Sequence, residues 1–134
     1  MNDNSPPRCR IHGISNCQSM KKAFAWLSAN GIAYDFVDYR RQPPTEAQLD
    51  DWQRRSGVGP ALLNTRGTTW RRLSDDERAS AADPDGARRL MARQPTLIKR
   101  PLIEAGETLL VGFDPARYAE VFAVPTIPPT AAGA

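Results

Sequence analysis

Cys17 is the residue of this sequence whose type and position are best suited to covalent chemistry. It lies in the segment Ile11 to Lys22, where Gly13 separates a strand-like stretch from a helix-like one. Asn16 is a good N-cap residue, which would place Cys17 in the first turn of the following helix. The positive end of a helix dipole stabilises a thiolate near neutral pH. The spacing therefore predicts a nucleophilic cysteine at a helix N-terminus.

Groups around Cys17 are suited to stabilising the thiolate, because an ordinary thiol, with a pKa of about 8.5, is mostly protonated in a neutral cytosol. They are the free amide groups of the first helical turn, a side-chain donor from Asn16 or Ser19, and the cation of Lys21 within one turn. The same donors favour any small anion. The site would thus fit an oxyanion or the carboxylate of glutathione.

Met20 occupies the position that the second cysteine of a Cys-x-x-Cys pair would hold. No disulfide can form across that turn, so the predicted chemistry is that of a single thiol. Attack by Cys17 would give a mixed intermediate that an external thiol has to release. We therefore expect glutathione as a co-substrate and no bound cofactor. Cys9 is expected to pack as a small apolar residue in the first strand, with a resolving role as the alternative.

His12 is the only histidine and precedes Cys17 by five residues. It could act as a base for the thiol, but the favoured interpretation is a surface residue at the end of a strand. One histidine and two cysteines at this spacing form no metal set. No glycine-rich phosphate loop follows the first strand. The sequence therefore argues against zinc enzymes and nucleotide enzymes.

The overall composition indicates one soluble domain. The chain has 134 residues, 40% of them hydrophobic, and a net charge of only +3. It has no basic, apolar leader and no stretch long enough to span a bilayer, so we expect a cytoplasmic protein that binds neither membrane nor nucleic acid. No exposed apolar stripe is evident, which favours a monomer. The excess of arginine over lysine fits an anion site or a GC-rich genome.

Periodicity and turn signals predict the elements that position Cys17. They are a strand over 8–12, a helix ending at Asn30-Gly31, a strand over 33–39, a helix capped by Thr45 and closed by Gly57 and Gly59, a helical turn over 60–63, a loop over 64–70, helices over 75–82 and 85–93, strands over 96–104 and 108–112, and a helix over 115–122 capped by Asp114. Alternation alone indicates α/β or α+β.

The order β-α-β, helices, β-β-α is that of a thioredoxin-like α/β fold with a helical insertion between its halves. We predict a flexible N-terminus over 1–7, a single domain over 8–123 and a Pro/Ala-rich tail over 124–134.

One aromatic and arginine-rich stretch allows two interpretations. Residues 68–72, Thr-Thr-Trp-Arg-Arg, could form a partner surface together with Arg40 and Arg41. Alternatively, Trp70 packs beneath the helical insertion.

Four motifs, taken together and in this order, resemble the ArsC/Spx family. They are Gly13-Ile14-x-Asn16-Cys17-x-x-x-Lys21-Lys22-Ala23, Asp38-Tyr39-Arg40, Leu63-Asn64-x-Arg66-Gly67-Thr68-Thr69-Trp70-Arg71 and Ile98-Lys99-Arg100-Pro101. The resemblance extends from about Arg8 to Phe122. Within the family the chain looks most similar to the YffB-like branch.

The resemblance implies a thioredoxin-like fold in which Cys17 attacks arsenate or a thiol substrate. Glutathione, with glutaredoxin, would resolve the product. The resemblance also implies that Arg100 contacts the oxyanion and that the bond before Pro101 is cis. If the loop before Pro101 folds against the first helical turn, Arg100 adds a further donor to Cys17.

Two further arginines of arsenate reductases are not matched in place. One follows an Ala-Leu-Leu turn, where this chain has Asn64 with Arg66 two residues later; the other follows the last hairpin strand, where it has Gly112 and Phe113. Arg66 is therefore a shifted candidate, and the substrate class is left as a small oxyanion or a thiol compound.

The alternative function is that of a Spx-like regulator that binds RNA polymerase. Such regulators generally sense oxidation through a Cys-x-x-Cys pair, which Met20 interrupts.

Overall fold

The computed structural model describes residues 9–56 and 62–124 and shows an α/β fold. In chain order its elements are β1 (Cys9–Gly13), α1 (Gln18–Ala29), β2 (Tyr34–Asp38), α2 (Glu46–Ser56), α3 (Thr68–Arg71), α4 (Asp75–Ser80), α5 (Pro84–Arg93), a 3₁₀ turn (Pro95–Leu97), β3 (Leu102–Ala105), β4 (Thr108–Val111) and α6 (Pro115–Val121). Helices α3 to α5 separate a βαβ half from a ββα half. The predicted thioredoxin-like fold with a helical insertion is thus confirmed.

The four strands form one sheet in the order β2-β1-β3-β4. β1 pairs with β2 in parallel and with β3 antiparallel, so that Ile11 lies between Phe36 and Ile103. A parallel neighbour requires a crossover connection, which α1 provides. β1 is therefore an inner strand, and the loop that follows Gly13 leaves the sheet at its centre.

Apolar residues cover both faces of the sheet, as expected for an inner strand with a parallel neighbour. One buried cluster joins β1, α1 and α6 and contains Cys9, Ile11, Met20, Ala23, Leu27, Ile32, Ile103, Leu110, Tyr118 and Phe122. The other joins β3 and β4 to α2 and the insertion and contains Tyr39, Leu49, Trp52, Leu62, Leu73, Ala87, Leu90, Met91, Leu97, Ile98, Leu102 and Leu109. The buried position of Cys9 agrees with the predicted packing role.

Helix ends follow the local signals in the sequence. The Thr45 hydroxyl accepts a hydrogen bond from the Gln48 amide at 3.1 Å, and Asp114 accepts one from the Arg117 amide at 3.2 Å. At the end of α1, Gly31 has a φ of 67°, a left-handed conformation that glycine adopts without strain. These three predicted boundaries are confirmed.

The loop predicted over 64–70 is wrong, because Thr68–Arg71 forms the short helix α3. Tertiary contacts hold this turn in place. The Thr69 and Thr96 hydroxyls are hydrogen bonded at 2.9 Å, and Trp70 packs against the cluster around α2 and α5. The packing interpretation of Trp70 thus agrees with the structure.

The continuous strand predicted over 96–104 is also wrong. Its first part is the 3₁₀ turn, and Ile98 forms only an isolated bridge with Leu63. Pro101 has no amide hydrogen to donate to a neighbouring strand, and regular pairing starts at Leu102. The chain between Ile98 and Leu102 is therefore a loop that carries Arg100.

Several sequence predictions lie outside the described residues: the flexible segment 1–7, Arg8, the closing Gly57 and Gly59, Pro60 and Ala61 of the helical turn, and the tail beyond Val124. Leu63, the last residue of that predicted turn, belongs to the bridge with Ile98. No helix in the part of the chain that the structure describes combines the length and the apolar character needed to cross a membrane.

Candidate functional site

Cys17 is the N-cap residue of α1, not a residue of its first turn. Its φ of −153° and ψ of 133° are extended, and its carbonyl oxygen accepts a hydrogen bond from the Lys21 amide at 3.0 Å. The prediction that Asn16 is the N-cap is therefore wrong by one residue. The predicted location of the thiol at a helix N-terminus is nevertheless correct, and its side chain is partly exposed.

The surroundings of Cys17 favour its thiolate form. Partial burial raises the pKa of Cys17, but it is outweighed by hydrogen bonds from the Met20 amide, the Arg100 guanidinium and the Ser19 amide, and by the positive charge of Arg100. The net result is a pKa below the ordinary value of a cysteine. Amide groups of a first helical turn and a nearby arginine are the features that activate thiols in proteins.

Arg100 reaches Cys17 from the loop between the 3₁₀ turn and β3. Its Nη1 donates to the carbonyl oxygen of Thr96 at 3.1 Å, which anchors the guanidinium. The peptide bond between Arg100 and Pro101 is cis, the conformation that the family resemblance implies. Arg100 Nε is buried and has no hydrogen-bond partner within residues 9–56 and 62–124. The structure thus brings Arg100 and Cys17 together across a large distance in the sequence.

Three other predicted anion contacts do not act on the thiol in this structure. The side chains of Asn16, Lys21 and Arg66 are exposed, and none of them belongs to the groups that shift the pKa of Cys17. The Arg66 amide donates to the Asn64 side chain at 3.1 Å, and its carbonyl oxygen accepts from Arg71 at 3.1 Å. Their assignment to substrate binding stays a prediction.

His12 is buried, with an exposed fraction of 2%, and its expected surface position is wrong. Neighbouring residues of a strand point to opposite faces, so His12 projects away from α1, which packs on Ile11. Its Nε2 lies 2.7 Å from Glu104 Oε1, and its ring contacts those of Trp52 and Tyr39 at centroid distances of 4.8 Å and 6.3 Å. This arrangement therefore does not support a role of His12 as a base for Cys17.

Glu104 is the centre of a polar cluster that sequence reasoning missed. The hydrogen bond from His12 lowers the pKa of the Glu104 carboxyl, burial raises it, and the hydrogen bond from Trp52 and the charge of Arg55 lower it further. The result is a pKa below the ordinary glutamate value. Arg55 Nη2 lies 3.1 Å from Glu104, and Arg55 Nε lies 3.2 Å from Asp51. The five residues of this cluster come from β1, α2 and β3, so no local pattern could have identified them.

Tyr39 is a further residue near the site, which the sequence named only as part of the Asp38-Tyr39-Arg40 motif and gave no role. It follows β2, and its amide donates to the Gly13 carbonyl oxygen at 2.8 Å. Its side chain is fully buried, and its hydroxyl has no hydrogen-bond partner among the residues that the structure describes. Burial raises the pKa of Tyr39 far above its usual value, and the positive charge of Arg100 opposes that shift in part.

Fold and site together define a thioredoxin-like protein with one partly exposed cysteine at the N-terminus of its first helix. An arginine before a cis-proline contacts that thiol.

Comparison with known proteins agrees with this class. The model of the ArsC family matches residues 12–121, and the chain belongs to the ArsC family. The solved structure of the YFFB protein superimposes with a TM-score of 0.79 at 39% identity, covering 84% of this chain and 97% of that one. An uncharacterized protein of Haemophilus influenzae is 36% identical over 113 residues, 84% of this chain and 97% of the relative. An arsenate reductase of Neisseria meningitidis serogroup A is 27% identical over 108 residues, 79% and 91% of the two chains. The family and its YffB-like branch are thus confirmed.

Proposed function

We propose that the protein is a glutathione-dependent oxidoreductase of the arsenate reductase-like kind, with Cys17 as its single nucleophile. The observation that carries the proposal is the partly exposed thiol at the N-cap of α1, hydrogen bonded by Arg100 and holding a lowered pKa. A thiolate, not a thiol, is the attacking species in such reactions. Membership of a family that includes proteins named arsenate reductase supports this class of chemistry.

The reaction of a disulfide substrate follows from the chemistry of one thiolate. The sulfur of Cys17 attacks one sulfur of the substrate, the substrate S–S bond breaks, and the leaving thiolate takes a proton. Cys17 is now bonded to the half of the substrate that it attacked. A glutathione thiolate attacks that half, forms a glutathione mixed disulfide and releases the Cys17 thiolate. A second glutathione completes the exchange, so two glutathione thiols become one glutathione disulfide.

A small oxyanion such as arsenate is the other substrate class that we propose. The Cys17 sulfur would bond to the central atom while an oxygen leaves as water after protonation, and the two electrons of the reduction would come from two glutathione thiols. Arg100 would contact the oxyanion, and Asn16, Lys21 and Arg66 would be further contacts. Met20 at the third position after Cys17 supports release by an external thiol. Glutaredoxin is the proposed recycling partner, and we propose that the protein acts as a cytoplasmic monomer without a bound cofactor.

Alkylation of Cys17 as a function of pH tests the proposal. The parent is a Cys9→Ala variant, in which Cys17 is the only thiol, and the reagent is iodoacetamide. We expect half-maximal reactivity at a pH below the ordinary thiol value of about 8.5. The midpoint should rise in Arg100→Ala and stay unchanged in Lys22→Ala, which removes an exposed cation of the same helix. Glutathione disulfide and arsenate should each slow alkylation of the parent.

A parent midpoint at the ordinary thiol value, with no protection by either compound, would contradict the proposal. A regulator that binds RNA polymerase without thiol chemistry would then become the better hypothesis. Arg100→Ala with an unchanged midpoint would instead show that the helix N-terminus alone activates the thiol.

A further inference from the structure

We propose that Tyr39 is a ligand-binding residue of the Cys17 site, where its hydroxyl and the Nε–H of Arg100 donate to an oxygen of a small anionic ligand. The inference rests on the proposed function, because it adds a residue to the same site. Tyr39 lies in the Asp38-Tyr39-Arg40 motif, which contributed to the family resemblance but was given no role in the site.

Two buried donors without a partner are the first observation. The Tyr39 hydroxyl and Arg100 Nε are both inaccessible to solvent, and neither finds a hydrogen-bond partner in the described ranges 9–56 and 62–124. Buried polar groups in native proteins are nearly always hydrogen bonded. These two donors therefore call for an acceptor that residues 9–56 and 62–124 do not supply.

The position of Tyr39 in the fold is the second observation. Its amide is tied to the Gly13 carbonyl oxygen at 2.8 Å, which fixes the backbone beside the loop that leads to Cys17. Its ring belongs to the same buried cluster as Ile98 and Leu102, the residues that flank the Arg100 loop. The positive charge of Arg100 acts on the hydroxyl. On the other side of β1, Leu102 pairs with His12, so the Arg100 loop adjoins the same end of that strand. Tyr39 and Arg100 therefore flank the end of β1 from which the Cys17 loop starts.

The protonation states specify the kind of ligand. Burial raises the pKa of Tyr39, so the hydroxyl keeps its proton and acts as a donor. Arginine is always charged and has no acceptor. Neutral tyrosine hydroxyls and arginines are the donors that stabilise oxyanions in active sites. A tetrahedral oxyanion and a carboxylate of glutathione both offer the required oxygen.

Binding without chemistry is the direct test, in a Cys17→Ser background that cannot form a covalent intermediate. The probes are sodium arsenate and oxidised glutathione, and the signal is the NMR resonance of the Arg100 Nε–H group. We expect a saturable shift with at least one probe, and the responding probe identifies the ligand as oxyanion or carboxylate. Tyr39→Phe should weaken that binding about tenfold, the effect of losing one hydrogen bond to a charged group.

Thermal unfolding separates ligand binding from a structural role. Tyr39→Phe removes a hydroxyl that has no partner in the described chain, so its melting temperature should equal or exceed that of the parent. Tyr118→Phe is the matched control, because the Tyr118 hydroxyl donates to the Gly112 carbonyl oxygen at 2.7 Å. It should lower the melting temperature and leave the affinity unchanged.

The inference is overturned if neither probe shifts the Arg100 signal, if Tyr39→Phe binds as tightly as the parent, or if Tyr39→Phe is destabilised as much as Tyr118→Phe. The proposed function is judged separately by the alkylation midpoint of Cys17. If the alkylation midpoint of Cys17 is lowered but Tyr39→Phe binds the probe as tightly as the parent, this inference is refuted and the proposed function stands.

Discussion

Replacing Glu104 by leucine should destabilise the protein strongly, because this carboxylate is the shared acceptor of a cluster in the core. His12 and Glu104 approach to 2.7 Å, with side chains that are 2% and 20% exposed. Arg55 lies 3.1 Å from the same carboxylate and is 23% exposed. Glu104→Leu removes the acceptor and leaves the buried imidazole without its partner.

The cost can be worked out from these contacts. An unsatisfied buried donor costs about 1–3 kcal/mol, which applies to His12 and to the indole of Trp52. Arg55 keeps its ion pair with Asp51, so the loss of its contact with Glu104 should cost less than about 1 kcal/mol. The buried leucine side chain recovers about 1–2 kcal/mol. The middle of these ranges gives a net loss of about 3 kcal/mol, and at about 4 °C per kcal/mol the melting temperature should fall by about 12 °C.

Urea unfolding at neutral pH, with thermal unfolding as a second method, measures the effect. Glu104→Gln is the matched control, since it keeps an acceptor oxygen for His12 and should lose only about 1 kcal/mol. The double variant His12→Phe with Glu104→Leu should recover part of the loss, because it removes donor and acceptor together. A Glu104→Leu protein as stable as the wild type would refute the reasoning, as would a double variant weaker than both single variants.

The pH dependence of stability tests the same cluster. The folded pKa of Glu104 is lowered, so its contribution is fully present above the unfolded value of about 4.3 and is lost as the pH falls through the folded pKa. The difference in unfolding free energy between wild type and Glu104→Gln should therefore shrink in acid. A difference that stays constant down to pH 2 would contradict the lowered pKa.

Three further experiments probe the site and the insertion. Met20→Cys should form a disulfide with Cys17 under mild oxidation, since the two positions occupy one helical turn; two free thiols by mass spectrometry after oxidation would argue against this geometry. Oxidation of the wild type should form no disulfide between Cys9 and Cys17, because Cys9 is only 5% exposed, and such a disulfide in a mass spectrum would point to a resolving role of Cys9. Gly86→Ala should cost about 1–3 kcal/mol, because its Cβ would lie 1.7 Å from the Ser80 carbonyl oxygen; calorimetry showing equal stability would contradict that contact.

The sequence determined the features that depend on residues near one another in the chain. The capping threonine and aspartate at Thr45 and Asp114, the terminating Gly31 and the thiol before α1 each follow from local backbone preferences, and all four agree with the structure. Periodicity and turn signals supplied the order of the elements, and the family motifs agreed with the fold that this order indicates. Together these features were enough to predict the thioredoxin-like fold and the location of Cys17 at a helix N-terminus.

Only the tertiary structure decided which side chains surround the thiol and which are buried beneath the sheet. Arg100 contacts Cys17 because the loop before β3 folds against α1. Residues 68–71 are helical because Thr69 bonds to Thr96 in the 3₁₀ turn and Trp70 packs on the core cluster. His12 is buried because β1 is an inner strand with both faces covered, a property of the assembled sheet that no single segment encodes. Local preferences act within a few residues, whereas charge, burial and hydrogen bonding at the site arise from segments that meet only on folding.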